Sequence, residues 1–475
     1  TPVGERTVAR GGKDAQLAAL RIRASLEGPT VSLAKARAEG RRSAKGPNEA
    51  AAIGRMLREA GLARTSARYL SRAVRGWPED VQIRVELAES LEADGQCDAA
   101  LDCVAACCAR NPEFAVRRAP VLRMQLLARM GRFRDCLAEI AQIAVPSSVI
   151  HQTQLRIALA MGNLGLAEAA VRARLSDPAV SRGQTAHFSI SLDGAQLTEL
   201  KFLRQFEAMG EVFDPLEFVF AAQAVVARWA DRKVDGGPQD AVPRQVLQYW
   251  DRAAIPAEIA AVMQSWRDAP GFAYRRFDKA GAWAYLQEHF EPEWARAFRA
   301  ARHPAEQADF FRLAFLAAEG GVYADADDRR VGDLDAFLTR AGGAVFSLEP
   351  MGAVANNFIA VPPGHPVILD AADEARRALL DQDNSNIWTK TGPGLLTRAV
   401  ARHLAGCEAA NTAPGLVLYR KHQLARTVQF HLRIAYKSAP EYWNAKRNAG
   451  DAAPLRNLIT SVLLQDAEGR LQSSR

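Results

Sequence analysis

The chain has 475 residues, 48% of them hydrophobic and 24% charged, with a net charge of +7. That length calls for two or three domains, each burying its own core, and the composition excludes a disordered or fibrous protein. No run of about 18 apolar residues offers a membrane span, no cleavable leader is read at the start, and six cysteines without zinc-type spacing predict buried thiols in a reducing compartment.

Residues 1–45 form a basic segment, with Arg21, Arg23, Lys35, Arg37, Arg41, Arg42 and Lys45 and only weak helical patterning. Such a run is either a solvated helix or tail, or a contact for nucleic acid or for anionic lipid headgroups at the inner face of a membrane. From Pro47 a repeat emerges. Pro78, Pro112 and Pro146 are 34 apart (112 − 78 and 146 − 112), and so are Gly61 and Gly95, each seventeen residues before its proline. Helix, glycine turn, helix, proline over residues 46–180 resembles tetratricopeptide repeats, although the large aromatic of the first helix is missing. Stacked helix pairs of this kind present a groove, here a candidate seat for a protein partner or simply a spacer. Cys103 and Cys107 are one helical turn apart and are expected to be packed thiols.

Residues 181–240 read as a helical connector: a short strand at His187–Leu192, helices near Leu197–Met209 and Pro215–Asp231, then the linker Lys233–Pro243 with its Gly-Gly-Pro. Strand and helix alternate from about residue 241 to 450, the pattern of an α/β domain with a parallel sheet. Its first strand ends in Gln248 and Trp250. Residues 451–475 complete the chain as a helix and tail.

The densest stretch is Ala308–Arg330. Asp309 and Arg312 stand three apart on a helix that Gly320-Gly321 stops, glycine accepting a left-handed cap. Val322-Tyr323-Ala324 is a buried strand, and Asp325 and Asp327 follow two apart, so an extended chain points them the same way. Two carboxylates at a strand end form a hard-oxygen site for Mn²⁺ or Mg²⁺.

Helix with Asp-x-x-Arg, then Gly-Gly, then Tyr-x-Asp-x-Asp resembles the glycosyltransferases with a sugar-binding region containing a DXD motif, a family of mannosyltransferase and capsular galactosyltransferase type related to clostridial glucosylating toxin domains. The strand with Gln248-x-Trp250, the Asn356-Asn357 strand, the Pro363-Gly364-His365-Pro366 turn and Thr391-Gly392-Pro393-Gly394 carry the likeness over roughly Val242–Trp443. The resemblance implies a Rossmann-like GT-A fold behind the helical repeats. It also implies a metal-dependent, retaining transfer of a hexose from a nucleotide sugar, UDP- rather than GDP-linked, to a glycan or protein. By the same likeness Asp309, Arg312, Asp325 and Asp327 are the catalytic set, with Asp325 and Asp327 on the metal. Gln248, Trp250, Tyr323, Asn357, His431 and Trp443 are substrate-binding candidates. The closing residues His431 and Trp443 depart from the family's usual spacing. A cytoplasmic enzyme of surface-glycan synthesis is expected, with no nucleic-acid partner; the alternative is a repeat scaffold carrying a degenerate domain.

Overall fold

The computed structural model describes residues 44, 46–143, 148–175, 216, 219–230, 241–350, 352–383, 386–430 and 432–438. The basic segment, the strand expected at 187–192, the helix expected at 197–209, the Gly-Gly-Pro linker, His431, Trp443 and the tail lie outside the described residues.

The first half is helical. α1 (Pro47–Glu59) and α2 (Ala63–Gly76) pair, then α3 (Val81–Ala93) and α4 (Cys97–Arg110). After the short α5 (Pro112–Arg117) come α6 (Ala119–Arg129) with α7 (Phe133–Ala141), and α8 (Ser148–Ala160) with α9 (Leu164–Leu175). Gly61 and Gly95, read from the repeat, lie in the turns between partners, as do Gly131 and Gly162, the four having φ of 73, 74, 74 and 66°. The prolines differ in role. Pro78 follows the end of α2, whereas Pro112 is the first residue of α5, where its missing N–H is no loss and Asn111 Oδ1 caps the helix by accepting from Phe114 N at 2.8 Å. The cysteines are free: Cys103 and Cys136 donate to the Arg84 and Met124 carbonyls, and burial pushes their thiols up to about 11 and about 12.

Helix α10 (Val219–Ala230) belongs to the second half by packing. Its Ala222, Val225 and Val226 are buried in the large core of the α/β region. That region holds a six-stranded sheet of β1 (Gln245–Tyr249), β2 (Ala273–Phe277), β3 (Gly321–Ala324), β5 (Ala344–Leu348), β6 (Val354–Val361) and β7 (Leu416–Arg420), in the order β2-β1-β3-β6-β5-β7. The sheet is mixed, not parallel as the alternation suggested. β1 runs parallel to β2 and β3, and β5 to β7, but β6 is antiparallel to both its neighbours. The cause is the short link between β5 and β6. A parallel return needs a crossover of a dozen residues or more, and 349–353 allows only a hairpin.

Helices cover both faces: α11 (Ala257–Arg267), α12 (Lys279–His289), α13 (Pro292–Ala300), α14 (Pro304–Glu319), α15 (Leu334–Ala341), α16 (Pro366–Leu380), α17 (Ile387–Lys390), α18 (Pro393–Ala410) and α19 (Lys421–Leu424). Phe310, Phe311, Leu313, Phe315 and Leu316 of α14 are each 2% exposed or less, so this helix is enclosed nearly all round. A second sheet pairs β4 (Arg329–Arg330) with β8 (Val428–Gln429), and a 3₁₀ turn at Ala435–Ser438 follows. No described helix is long and apolar enough to cross a membrane.

The turn edges of the helical array press on the α/β region. A Cβ added at Gly95 would stand 2.9 Å from the His422 carbonyl oxygen, and one at Gly131 would stand 2.6 Å from Arg420 Nε. Gln429 Nε2 donates to the Ala93 carbonyl at 2.8 Å, His422 Nδ1 meets the Arg129 carbonyl at 3.1 Å, and Arg420 lies over the Phe133 ring. Furthest along, Arg433 donates its backbone N–H to the Glu59 carbonyl at 3.0 Å and pairs with the Glu59 carboxylate at 3.2 Å.

Candidate active site

The chain leaves β1 for β2 on one side and returns through β3 on the other, so a crevice opens beyond the carboxyl ends of β1 and β3. This is the switch point where open α/β sheets bind ligands. Trp250 follows β1 there, and Asp325 follows β3.

Gly320 ends α14 at φ 65°, ψ −159°, and Gly321 enters β3 at φ 104°. The first is not the left-handed cap expected from sequence. It is an extended positive-φ conformation open essentially to glycine alone. A Cβ at Gly320 would also meet the Pro363 nitrogen at 2.5 Å.

The acidic residues do not continue the strand. β3 stops at Ala324, and Asp328 N donates to the Asp325 carbonyl at 3.1 Å, closing a turn. Asp325 and Asp327 are therefore brought together by a β-turn rather than by extended alternation. The turn is held on all sides. Asp325 N donates to the Asn357 carbonyl at 2.9 Å, Gln248 Nε2 to the Asp325 carbonyl at 3.1 Å, and Trp266 Nε1 to the Asp328 carbonyl at 2.7 Å. Gln248 is fully buried and also accepts from Tyr274 Oη at 3.0 Å, so its amide is committed to the turn.

Asp309 and Arg312 lie beneath the turn, 6% and 4% exposed. Arg312 Nη2 is 3.0 Å from Asp309 Oδ1 and its Nη1 is 3.3 Å from Asp325 Oδ1. Arg312 donates as well to the Asn356 and Ala308 carbonyls and stacks over the Tyr323 ring at 4.2 Å. Asp309 accepts from Asn356 Nδ2 at 2.9 Å and from Thr391 Oγ1 at 3.1 Å. The buried Tyr323 hydroxyl donates to Asp325 Oδ1 at 2.7 Å. These groups aim Asp325 from below.

Burial pushes the Asp309 carboxyl up to about 7 against the pull of Arg312. Burial, reinforced by Asp327, also raises Asp325, opposed by Arg312 and Tyr323. Asp328, which sequence reasoning passed over, is 2% exposed and accepts from Asn357 Nδ2 at 2.6 Å; burial and the charges of Asp327 and Asp325 hold its pKa well above the carboxylate range. Its only sequence signal was adjacency to Asp327.

Two lysines complete the electrostatics. Lys437, on the 3₁₀ turn, places Nζ 2.7 Å from Asp327 Oδ2. Lys421 is depressed by burial while Glu349, Asp328 and Asp325 favour its charge. Tyr436 meets Trp250 edge-on at 5.1 Å, and Leu432 and Ile434 bury against Ile259, Val262, Met263 and Ala326. Neither lysine nor Tyr436 stood in a recognisable motif.

The donor set suits a divalent cation on chemical grounds. Three carboxylates crowd one turn, where burial and the Asp327 charge raise Asp325 and Asp328, and Asn357 Oδ1 is buried without a partner among the described residues. Among those residues no group of three or more His, Cys, Asp or Glu is arranged to hold a metal ion. Asp325 and Asp327 could hold an ion only in part, leaving positions for phosphate oxygens and water, as Mg²⁺ sites commonly do.

Residues 256–341, from the lead-in to α11 through α15, match the family model described as the glycosyltransferase sugar-binding region containing DXD motif. The α/β half is thus similar to glycosyltransferases of the DXD class. An uncharacterized glycosyltransferase of Acanthamoeba polyphaga mimivirus is 27% identical over 169 residues, 34% of this chain and 66% of that relative, so the match spans just under two thirds of the relative's length. Among solved structures, the PaToxG glycosyltransferase aligns at 15% identity with a TM-score of 0.29, covering 49% of this chain and 98% of that one.

Proposed function

We propose that the protein is a metal-dependent, retaining glycosyltransferase that moves a hexose from a nucleotide sugar, UDP-linked in preference to GDP-linked, onto a glycan or protein acceptor. One observation carries the reading: a rigid turn of three carboxylates, Asp325, Asp327 and Asp328, at the switch point of a mixed sheet, inside the segment that matches the DXD region.

Asp325 and Asp327 would hold Mn²⁺ or Mg²⁺, which supplies counter-charge to the diphosphate leaving group. The chain's own residues do the rest. Arg312 and Tyr323 fix the direction of the Asp325 carboxylate, and Asp309 anchors Arg312 through the Asn356 and Thr391 contacts. Gln248 and Asn357 lock the turn's backbone and flank. Trp250 and Tyr436 offer an aromatic wall at the crevice for the donor base. Lys437 places an ammonium at the carboxylate rim, where charge on a departing phosphate would gather. No further carboxylate is assigned as nucleophile or base, so positioning and electrostatic stabilisation supply the rate in this reading.

The test is incubation of the purified protein with a panel of nucleotide sugars and Mn²⁺, reading released nucleotide. Turnover with one donor at or above ordinary enzymatic rates of about 1 s⁻¹ in the presence of acceptor supports the proposal. No release from any donor, with the fold verified, leaves a scaffold carrying an inactive domain.

A further inference from the structure

An open groove of about 720 Å³ lies between α2 and the turn joining α3 to α4, remote in sequence from the carboxylate turn. Its wall is arginine. Arg64, Arg68, Arg72 and Arg75 follow one face of α2 at steps of four, four and three residues, all exposed, and Arg426 contributes from the segment after α19. Arg64 reaches Asp94 at 3.4 Å. Arg68, Arg72 and Arg75 have no carboxylate partner among the described residues. Ala67 and Leu91 line the apolar part, with Ser71 and Gln96 beside them.

This row does nothing for the helix that carries it. Like charges at four-residue spacing destabilise a helix, and α2 has no acidic residue in its first turn, where Arg64 opposes the helix dipole. The two terminal stretches of the chain carry the wrong sign to fill the groove. Residues 1–45 contain ten Lys or Arg against four Asp or Glu, and residues 439–475 contain five against four, so both are net basic.

The spacing selects the ligand's form. Successive arginines at i and i+4 rise about 6 Å along the helix, and same-face side chains of an extended peptide recur every 6.6–6.8 Å, roughly the same step. Carboxylates at alternate positions of an extended segment therefore meet successive guanidiniums, whose planar forks bind carboxylate in bidentate fashion. No aromatic side chain lines the groove for bases to stack on, which disfavours single-stranded nucleic acid. We infer that this groove binds an acidic polypeptide segment in extended form, with Asp or Glu at alternating positions. The inference stands apart from the proposed chemistry, because it concerns a partner held by the helical array and is read by binding alone.

The probe is a fluorescein-labelled peptide of about ten residues alternating Glu and Ala, titrated with the full chain at low salt and followed by anisotropy. A second peptide of the same composition has its glutamates in one block, and a third probe is an oligouridylate. The alternating peptide is expected to bind at least about fivefold more tightly than the blocked one, because only it matches the helical step. Arg68→Glu with Arg72→Glu should weaken it at least about tenfold, and Arg68→Gln with Arg72→Gln by less, as loss of charge-assisted contacts without repulsion requires. The pair Arg110→Glu with Arg117→Glu, on other helices, serves as a control and should change binding less than about twofold. Equal loss in the control pair, or no loss in either Arg68 and Arg72 variant, overturns the inference. Tighter binding of the oligouridylate through the same arginines overturns it in favour of nucleic acid.

Discussion

The Lys437 ammonium lies 2.7 Å from the Asp327 carboxylate, on a segment that is itself bonded to Glu59 in the first helix of the array. A divalent ion on Asp327 must share that carboxylate with Lys437 or displace it. In the proposed chemistry the two cations would compete for one ligand. Lys437→Met is expected to raise Mn²⁺ affinity about fivefold, the equivalent of the roughly 1 kcal/mol such a partly exposed pair contributes. Isothermal titration with Mn²⁺ alone reads this; unchanged or weaker affinity would show that the pair does not oppose the metal.

Activity should vanish in excess chelator and return with Mn²⁺. Asp327→Asn, which keeps the shape and removes the charge, is expected to lower kcat/KM by about 10² or more. Full turnover in chelator, with residual metal measured, would remove the ion from the proposed chemistry.

Arg312 answers a different question from the one its spacing posed. The resemblance made it one of the catalytic set. Yet its guanidinium is buried among Asp309, Asp325, the Ala308 and Asn356 carbonyls and the Tyr323 ring. Arg312→Lys keeps the charge but cannot make these contacts together. Loss of about 2 kcal/mol and a fall in Tm of about 4–8 °C are expected, alongside reduced kcat/KM. A thermal melt that overlays the wild type while kinetics fall would instead place Arg312 at the donor.

The array and the α/β region should melt as one unit where the turn glycines dock. Gly95 and Gly342 have nearly the same φ, 74 and 68°, but a Cβ at Gly342 meets nothing within 4 Å while one at Gly95 meets the His422 carbonyl. Alanine at each incurs the same backbone strain, about 1–2 kcal/mol. The excess loss in Gly95→Ala therefore measures the docking contact. Equal losses by denaturant titration would mean that the contact contributes nothing.

His365 is the clearest pH sensor of stability. Burial, with His403 adding, holds its imidazole down at about 4, against about 6.5 in an unfolded chain. Its Nδ1 is buried without a partner among the described residues, and its ring packs on Phe346. The folded state keeps it neutral, so its contribution is full above the unfolded value and is lost as pH falls from about 6.5 towards 4. Between pH 7 and 5 this amounts to about 2 kcal/mol. His365→Phe should flatten that part of the profile in urea titrations at the two pH values; parallel profiles would assign the loss to other groups.

The strands beside the site, the helix pairs with their glycine turns and the Asp-x-x-Arg to Asp-x-Asp stretch were legible because each is a local signal. The sheet's mixed polarity was not, since the direction of β6 follows from the length of one loop. Asp328 was hidden because nothing in a run of acids tells which is buried; that depends on Asn357, 29 residues away. Lys437, Tyr436 and Lys421 were missed for a related reason. They reach the carboxylates from the far end of the chain, on a segment whose path is set by contacts with α1 and the turn after α3.

Helical arrays ordinarily gain or lose units with little consequence, since each unit touches only its neighbours. Here each hairpin apex among the described residues faces a different fixture of a non-repeating body: a Cβ at Gly61 would meet Leu432 and Arg329, at Gly95 His422 and Ala425, at Gly131 Arg420, and at Gly162 Ala224. The array is keyed like the teeth of a latch. Excising one unit would not merely shorten it but would offer every later tooth to the wrong notch, so the count of hairpins is fixed by the lock and not by the array.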